Sequence, residues 1–217
     1  MPQSQRRAAT VLRRSGRRRT EAPVTESRRR EILKEAVRLM EEKGFAAMSV
    51  QHVADALEFS KANFYHHIDS KEQLLYDIFV DTLEYSLSHL EEIVSSDRSI
   101  PDQLRALVEF YVSLMFDRRA TMLVWFKERA HLTDTHQKEI GQLEQKIGAT
   151  LEGFYGRGIA AGYFKPMRLD VVRVAMFGMC FQLTRVPRPH DRAATAEIAG
   201  QLQELACTGL LRSDQPA

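Results

Sequence analysis

Between Ser49 and Lys71 the chain reads SVQHVADALEFSKANFYHHIDSK, a run of side chains able to meet a phosphate or a base edge. Ser60, Lys61, Ala62 and Asn63 form a candidate reading face. Tyr65, His66, His67 and Lys71 are candidate positioning groups, because a phenol, an imidazole and an ammonium can each donate to a phosphate oxygen. Such contacts hold a duplex without choosing its sequence. Two His-carboxylate groupings suggest enzyme chemistry instead: His66 and His67 with Asp69, and His131 with Asp134 and His136. The first falls on the motif just described. The second sits at a charged helix start with no nucleophile or third ligand beside it, so neither catalysis nor a metal is expected. Cys180 and Cys207 lie far apart without His or Cys at ligand spacing, and read as small core residues.

Elements that could carry these groups follow from the apolar pattern. Ser49 can cap a short helix whose inward side is Val50, Val53, Ala54 and Leu57. Ser60 can cap a second, with Phe64 and Ile68 inward. Two short helices at that spacing make a helix-turn-helix, whose second helix lies in the major groove. Before them, Ile32, Leu33, Ala36, Val37 and Met40 share one face of a helix over 25–43 that Gly44 ends. Arg28, Arg29 and Arg30 stand in its first turns, unfavourable for the helix dipole but well placed for phosphate.

Ala36, Gly44-Phe45, Ser49-Val50, Val53-Ala54, Ser60, Phe64-Tyr65 and Ser70 to Leu74 together resemble the DNA-binding domain of the TetR family of repressors. The resemblance covers Thr25 to Leu75 and implies DNA contacts from Arg28, Arg29, Ser49, Ser60, Lys61, Ala62, Asn63, Tyr65, His66, His67 and Lys71. Three positions depart from the family pattern. Glu58 stands where the turn commonly has Gly, Ala62 where Gly is frequent, and Ile68 where an aromatic is usual. A looser turn is therefore expected at Glu58.

Charge is divided unevenly along the 217 residues. Residues 1–30 hold ten Arg and two Glu, a local charge of +8 against +2 for the whole chain. Residues 1–24 lack apolar periodicity and read as a disordered basic arm that could track phosphates or enter a minor groove. No run reaches the 18 or so apolar residues of a membrane span, and no secretory leader is evident, so a cytoplasmic protein is expected.

The rest is helical throughout. A capping arrangement at Asp69-Ser70 opens a helix to about Ser95, on the order of 38 Å long. It could link a ligand site to the reading head. Further helices are expected over 100–116, 119–130, 133–161, 169–185 and 192–211. The expected fold is all-α with about nine helices: a helix-turn-helix domain over 25–71 and a ligand-binding and dimerisation domain over 72–217. Gly141, Gly148, Gly153, Gly156 and Gly158 in one helix imply close packing or a bend. The helix from Leu169 is apolar almost all round, so it suits a subunit interface as well as a core. The last two helices match the pair that forms the dimer bundle in TetR-like proteins, so a homodimer on a palindromic operator is expected.

For the effector, VWFKERAHLT, Val124 to Thr133, followed by a long helix resembles TetR-like regulators of fatty-acid or steroid degradation that respond to acyl-CoA thioesters. Phe110, Leu114, Met115, Trp125, Phe126 and Phe177 could line an apolar tunnel. Arg129, Lys127 and Arg185 could take the CoA phosphates. An efflux regulator binding lipophilic cations is the alternative, with Glu109 and Glu128 beside the aromatics. A helical interaction protein that binds no DNA is the alternative of another class. No cofactor is expected.

Overall fold

The computed structural model describes residues 18–58, 68 and 70–212, with side chains from Ser27 onward. Among these it holds eight α-helices, two 3-10 turns and one isolated bridge. The chain divides into two compact units between Leu74 and Leu75.

The first unit contains α1 (Arg18–Lys43), α2 (Val50–Ala56) and the start of α3 (Lys71–Ser95). Ile32, Ala36, Val37 and Met40 of α1 bury against Val53 and Ala54 of α2, with Phe45, Met48, Ile68 and Leu74 completing the core. The helix begins seven residues before Thr25, within the stretch read as a disordered arm. Arg, Glu and Ala are good helix formers, and the helix runs on through Pro23. Gly44 ends α1 at φ 78°, a left-handed conformation, and its N–H donates to the Met40 carbonyl at 2.9 Å.

In the second unit α4 (Ile100–Asp117), α5 (Arg119–Glu128), α6 (Asp134–Ala160), α7 (Leu169–Phe181) and α8 (Arg192–Leu210) follow the rest of α3. The starts are set by local chemistry. Ser99 accepts the Asp102 N–H, Thr133 the His136 N–H and Asp191 the Ala194 N–H. Helix α8 lies along α4, with the Gln203 amide donating to the Arg105 carbonyl at 3.0 Å. One core cluster joins Val108, Val112 and Met115 of α4 to Cys180, Ala199 and Ala206; a second joins Leu90, Leu104, Phe154, Phe164 and Leu210. Burial pushes the Cys180 thiol up to about 11, consistent with an inert core residue.

Two helices stop earlier than their apolar patterns suggest. Helix α5 gives way to a 3-10 turn at Arg129–His131, and α7 to one at Gln182–Arg185. Nor is α7 buried all round within one chain: Val171 and Val174 are exposed, while Val172 and Cys180 face the core. Among the described residues no helix is long and apolar enough to cross a membrane.

Candidate functional site

Helix α2 is fixed at its start by a reciprocal pair. The Ser49 hydroxyl accepts the His52 N–H at 3.2 Å, and His52 Nδ1 accepts the Ser49 N–H at 3.2 Å. His52 was not anticipated; its signal is a side-chain acceptor three residues after a Ser, the place Glu or Gln usually holds. Just beyond α2, Glu58 sits at φ 55°. That is the left-handed conformation, which glycine adopts without the penalty a Cβ brings. Ser60, Lys61, Ala62, Asn63, Tyr65, His66 and His67 lie outside the described residues, as do Phe64, Asp69 and residues 1–17.

Ile68, in place of an aromatic, is fully buried. The Ser70 hydroxyl accepts the Gln73 N–H at 3.0 Å and caps α3. The Lys71 ammonium donates to the carbonyls of Phe45 at 3.2 Å and Ala46 at 3.4 Å, and lies 4.4 Å from the centre of the Phe45 ring. Lys71 thus clips the α1–α2 loop to the start of α3. Arg28 is exposed and bonds Glu31 at 2.7 Å, while Arg29 is half-buried.

The second unit holds a cavity of about 690 Å³ that is open to the surface on one side. Its apolar walls come from Leu83 of α3, Leu114 of α4, Trp125 and Phe126 of α5, Ile147 and Leu151 of α6, and Phe177 of α7. Charge enters as Arg129 with Glu144 and as Asp170 with Arg173. Arg129 grips the Glu144 carboxylate with both guanidinium nitrogens, Nη2 at 2.7 Å from Oε2, and lies over the Trp125 ring at 5.0 Å. The hydrogen bond to Glu144 holds the guanidinium pKa above its ordinary value. Arg168 beside Asp170 holds that carboxyl below the usual range. Arg173 also approaches Gly148 so closely that a Cβ there would stand 3.3 Å from its Nη1.

Of the residues anticipated as ligand contacts, Leu114, Trp125, Phe126, Arg129 and Phe177 line this cavity. Phe110 and Met115 do not. Met115 is buried in the core, and Phe110 stacks on His89 with ring centroids 5.2 Å apart. Lys127 and Arg185 are exposed and away from the lining. Glu128 faces His131 at 3.5 Å, and Glu109 lines a separate, polar hollow between α4 and the start of α8. Neither carboxylate proposed for a lipophilic cation lines the cavity. Tyr111, Thr82, Ser86, Glu144, Asp170 and Arg173 were missed. His136 stacks on Tyr76, and among the described residues no three His, Cys, Asp or Glu side chains gather as metal ligands.

The pattern describing bacterial regulatory proteins of the tetR family matches residues 32–78, and that of the tetracyclin repressor-like C-terminal domain matches residues 97–210. The HTH-type transcriptional repressor KstR2 of Mycolicibacterium smegmatis is 27% identical over 189 residues, spanning 86% of this chain and 92% of its own. The solved structure of the ketosteroid transcriptional regulator KstR2 of Mycobacterium tuberculosis shares the fold, with a TM-score of 0.75 at 21% identity over 86% of this chain and 96% of that one. AibR, solved in complex with isovaleryl coenzyme A and operator DNA, gives a TM-score of 0.70 at 26% identity, over 82% of this chain and 97% of its own.

Proposed function

The chain belongs to the TetR family of bacterial transcriptional regulators, and we propose that it is a homodimeric cytoplasmic repressor released from a palindromic operator by a small hydrophobic effector. The observation that carries the effector reading is the cavity of about 690 Å³, walled by Leu114, Trp125, Phe126 and Phe177 and bordered by the Arg129–Glu144 pair. That combination suits a ligand with an apolar body and a polar head, of which an acyl-CoA thioester is the leading case. The isovaleryl coenzyme A in the AibR complex supports the same chemistry.

A ligand can release DNA only through unequal affinity for the bound and free states. Helix α3 is the element suited to express that inequality, since it begins at Lys71 and contributes Leu83 to the cavity wall. Dimerisation through α7 and α8 accounts for the exposed Val171, Val174 and Leu205. On the DNA side, Arg28, Arg29, Ser49 and Lys71 hold phosphates, and the segment from Ser60 to His67 reads and flanks the bases.

The test is binding of the purified protein to a duplex spanning its own upstream region, against scrambled DNA at the same salt, with and without a panel of acyl-CoAs. Specific binding released by one thioester is the expected result. Specific binding that no acyl-CoA weakens would remove the thioester and leave the repressor.

A further inference from the structure

Three cavity residues carry hydroxyls: Thr82 and Ser86 on α3, and Tyr111 on α4. All three are buried, Thr82 at 2% exposure and Ser86 at 7%. The Thr82 hydroxyl donates to the Ile78 carbonyl at 3.0 Å, and the Ser86 hydroxyl to the Thr82 carbonyl at 2.8 Å. Both protons are thus held by the helix's own backbone, while lone pairs on each oxygen remain available. Arg118 reaches Thr82 Oγ1 only at 3.4 Å.

Val and Ala would fill these two positions with no polar group to desolvate. Beyond the long Arg118 bond to Thr82, the two hydroxyls answer only carbonyls of their own helix, yet both stand in the wall of the cavity. We propose that Thr82 and Ser86 read an oxygen on the effector, so that the preferred ligand is a hydrophobe bearing a hydroxyl on its apolar body rather than a plain hydrocarbon chain. This rests on the cavity being the effector site.

The chemistry ranks the ligands. A hydroxyl both donates and accepts, so it can use the lone pairs of Thr82 and Ser86 and the Tyr111 O–H while the two helix bonds stay intact. A ketone can only accept, and must rely on Tyr111 or draw a proton away from the Ile78 or Thr82 carbonyl. A hydrocarbon offers nothing to the remaining lone pairs of Thr82 and Ser86 or to the Tyr111 O–H.

The experiment follows displacement of 1-anilinonaphthalene-8-sulfonate from the full chain by decalin, 2-decalone and 2-decalol, beside decanoyl-CoA and 10-hydroxydecanoyl-CoA. Decalol should displace the dye at about three- to tenfold lower concentration than decalin, the worth of one ordinary hydrogen bond, with decalone between them. In the Thr82→Val/Ser86→Ala double variant that preference should vanish while decalin binds as well or better. Ser86→Ala alone, a smaller change, should lose part of it even where the double variant folds poorly. Equal displacement by all three decalins, displacement by none, or a preference that survives the substitutions overturns the proposal. A decalol preference with no binding of either thioester upholds it and removes the CoA reading. Thioesters that bind without any hydroxyl preference, in either series, do the reverse.

Discussion

The Phe164 ring occupies the space that a side chain on Gly158 would need. A Cβ built on Gly158 falls 2.1 Å from Phe164 Cδ2, and the Gly158 carbonyl accepts the N–H groups of Tyr163 at 2.9 Å and Phe164 at 3.1 Å. The end of α6 and the turn after it are therefore locked face to face. Gly158→Ala should destabilise the C-terminal unit by about 1–3 kcal/mol, the usual cost of overpacking a closed core. Urea unfolding followed by the single tryptophan, Trp125, measures it. An unchanged midpoint would mean that the ring has room to move.

Glu58 invites the opposite result. Its left-handed backbone costs a residue with a Cβ about 1 kcal/mol, and glycine carries no such penalty, although it adds entropy to the unfolded chain. Glu58→Gly should therefore protect the N-terminal unit by roughly 0.5 kcal/mol. Since Trp125 belongs to the other unit, the readout is hydrogen exchange at the Val53 and Leu57 amides, which should slow. Faster exchange would show that the charge or the restricted unfolded state of Glu58 matters more than its φ.

What the sequence made legible is local. Ser49, Gly44, Ser99 and Thr133 act on backbone groups within three or four residues, so their types and spacing suffice to place helix ends. The one resemblance over Thr25 to Leu75 supplied the rest of the reading head's plan. The cavity is different, because its lining depends on which way each helix faces after packing. Leu114 and Met115 are neighbours in α4 with the same apolar character, yet Leu114 lines the cavity and Met115 fills the core. Phe110 and Phe126 are equally plausible as aromatics, and only Phe126 reaches the site. Thr82 and Ser86 stand among Ile78, Phe79, Leu83 and Leu87 in one helix, and no spacing marks them as part of a cavity wall. Glu144 and Arg129 are fifteen residues apart, beyond any helical spacing that would announce a pair.

Lys71 separates a structural role from a phosphate contact. Lys71 donates to the Phe45 and Ala46 carbonyls and is also a proposed phosphate contact, so Lys71→Met should do two things. It should lower the stability of the N-terminal unit by about 1 kcal/mol through the lost bonds to the loop. It should also reduce the slope of log affinity against log salt by about one, the signature of a single phosphate contact. A stability loss with an unchanged slope would assign Lys71 to the loop alone.

Burial pushes the Tyr111 phenol up to about 12, and the hydrogen bond to Glu139 chiefly does the same for Tyr76. A free phenol titrates near 10. The folded value lies above the unfolded one, so the associated stability is full below about pH 10 and lost as pH rises towards 12. Melting temperature should therefore decline through that window, and Tyr111→Phe should make the decline shallower. Ultraviolet phenolate absorbance of the folded protein should show late-titrating tyrosines. If Tyr111→Phe follows the same curve as the parent, the Tyr111 phenol does not contribute to alkaline unfolding.

Val174 is 74% exposed in a single chain, on the same stretch of α7 as Val171, and Leu205 of α8 is 63% exposed. Apolar side chains this open on neighbouring helices form the surface that the proposed dimer would cover. Val174 also stands at the rim of the cavity, and Val174→Glu places a carboxylate there and in the proposed contact, where it must be desolvated. Light scattering should then show the mass of one chain where the parent shows two, with helical content by circular dichroism preserved. Operator affinity without effector should fall at least tenfold, because a lone reading head gives up the second half-site. A Val174→Glu protein that remains dimeric and binds the operator as before would move the interface away from α7.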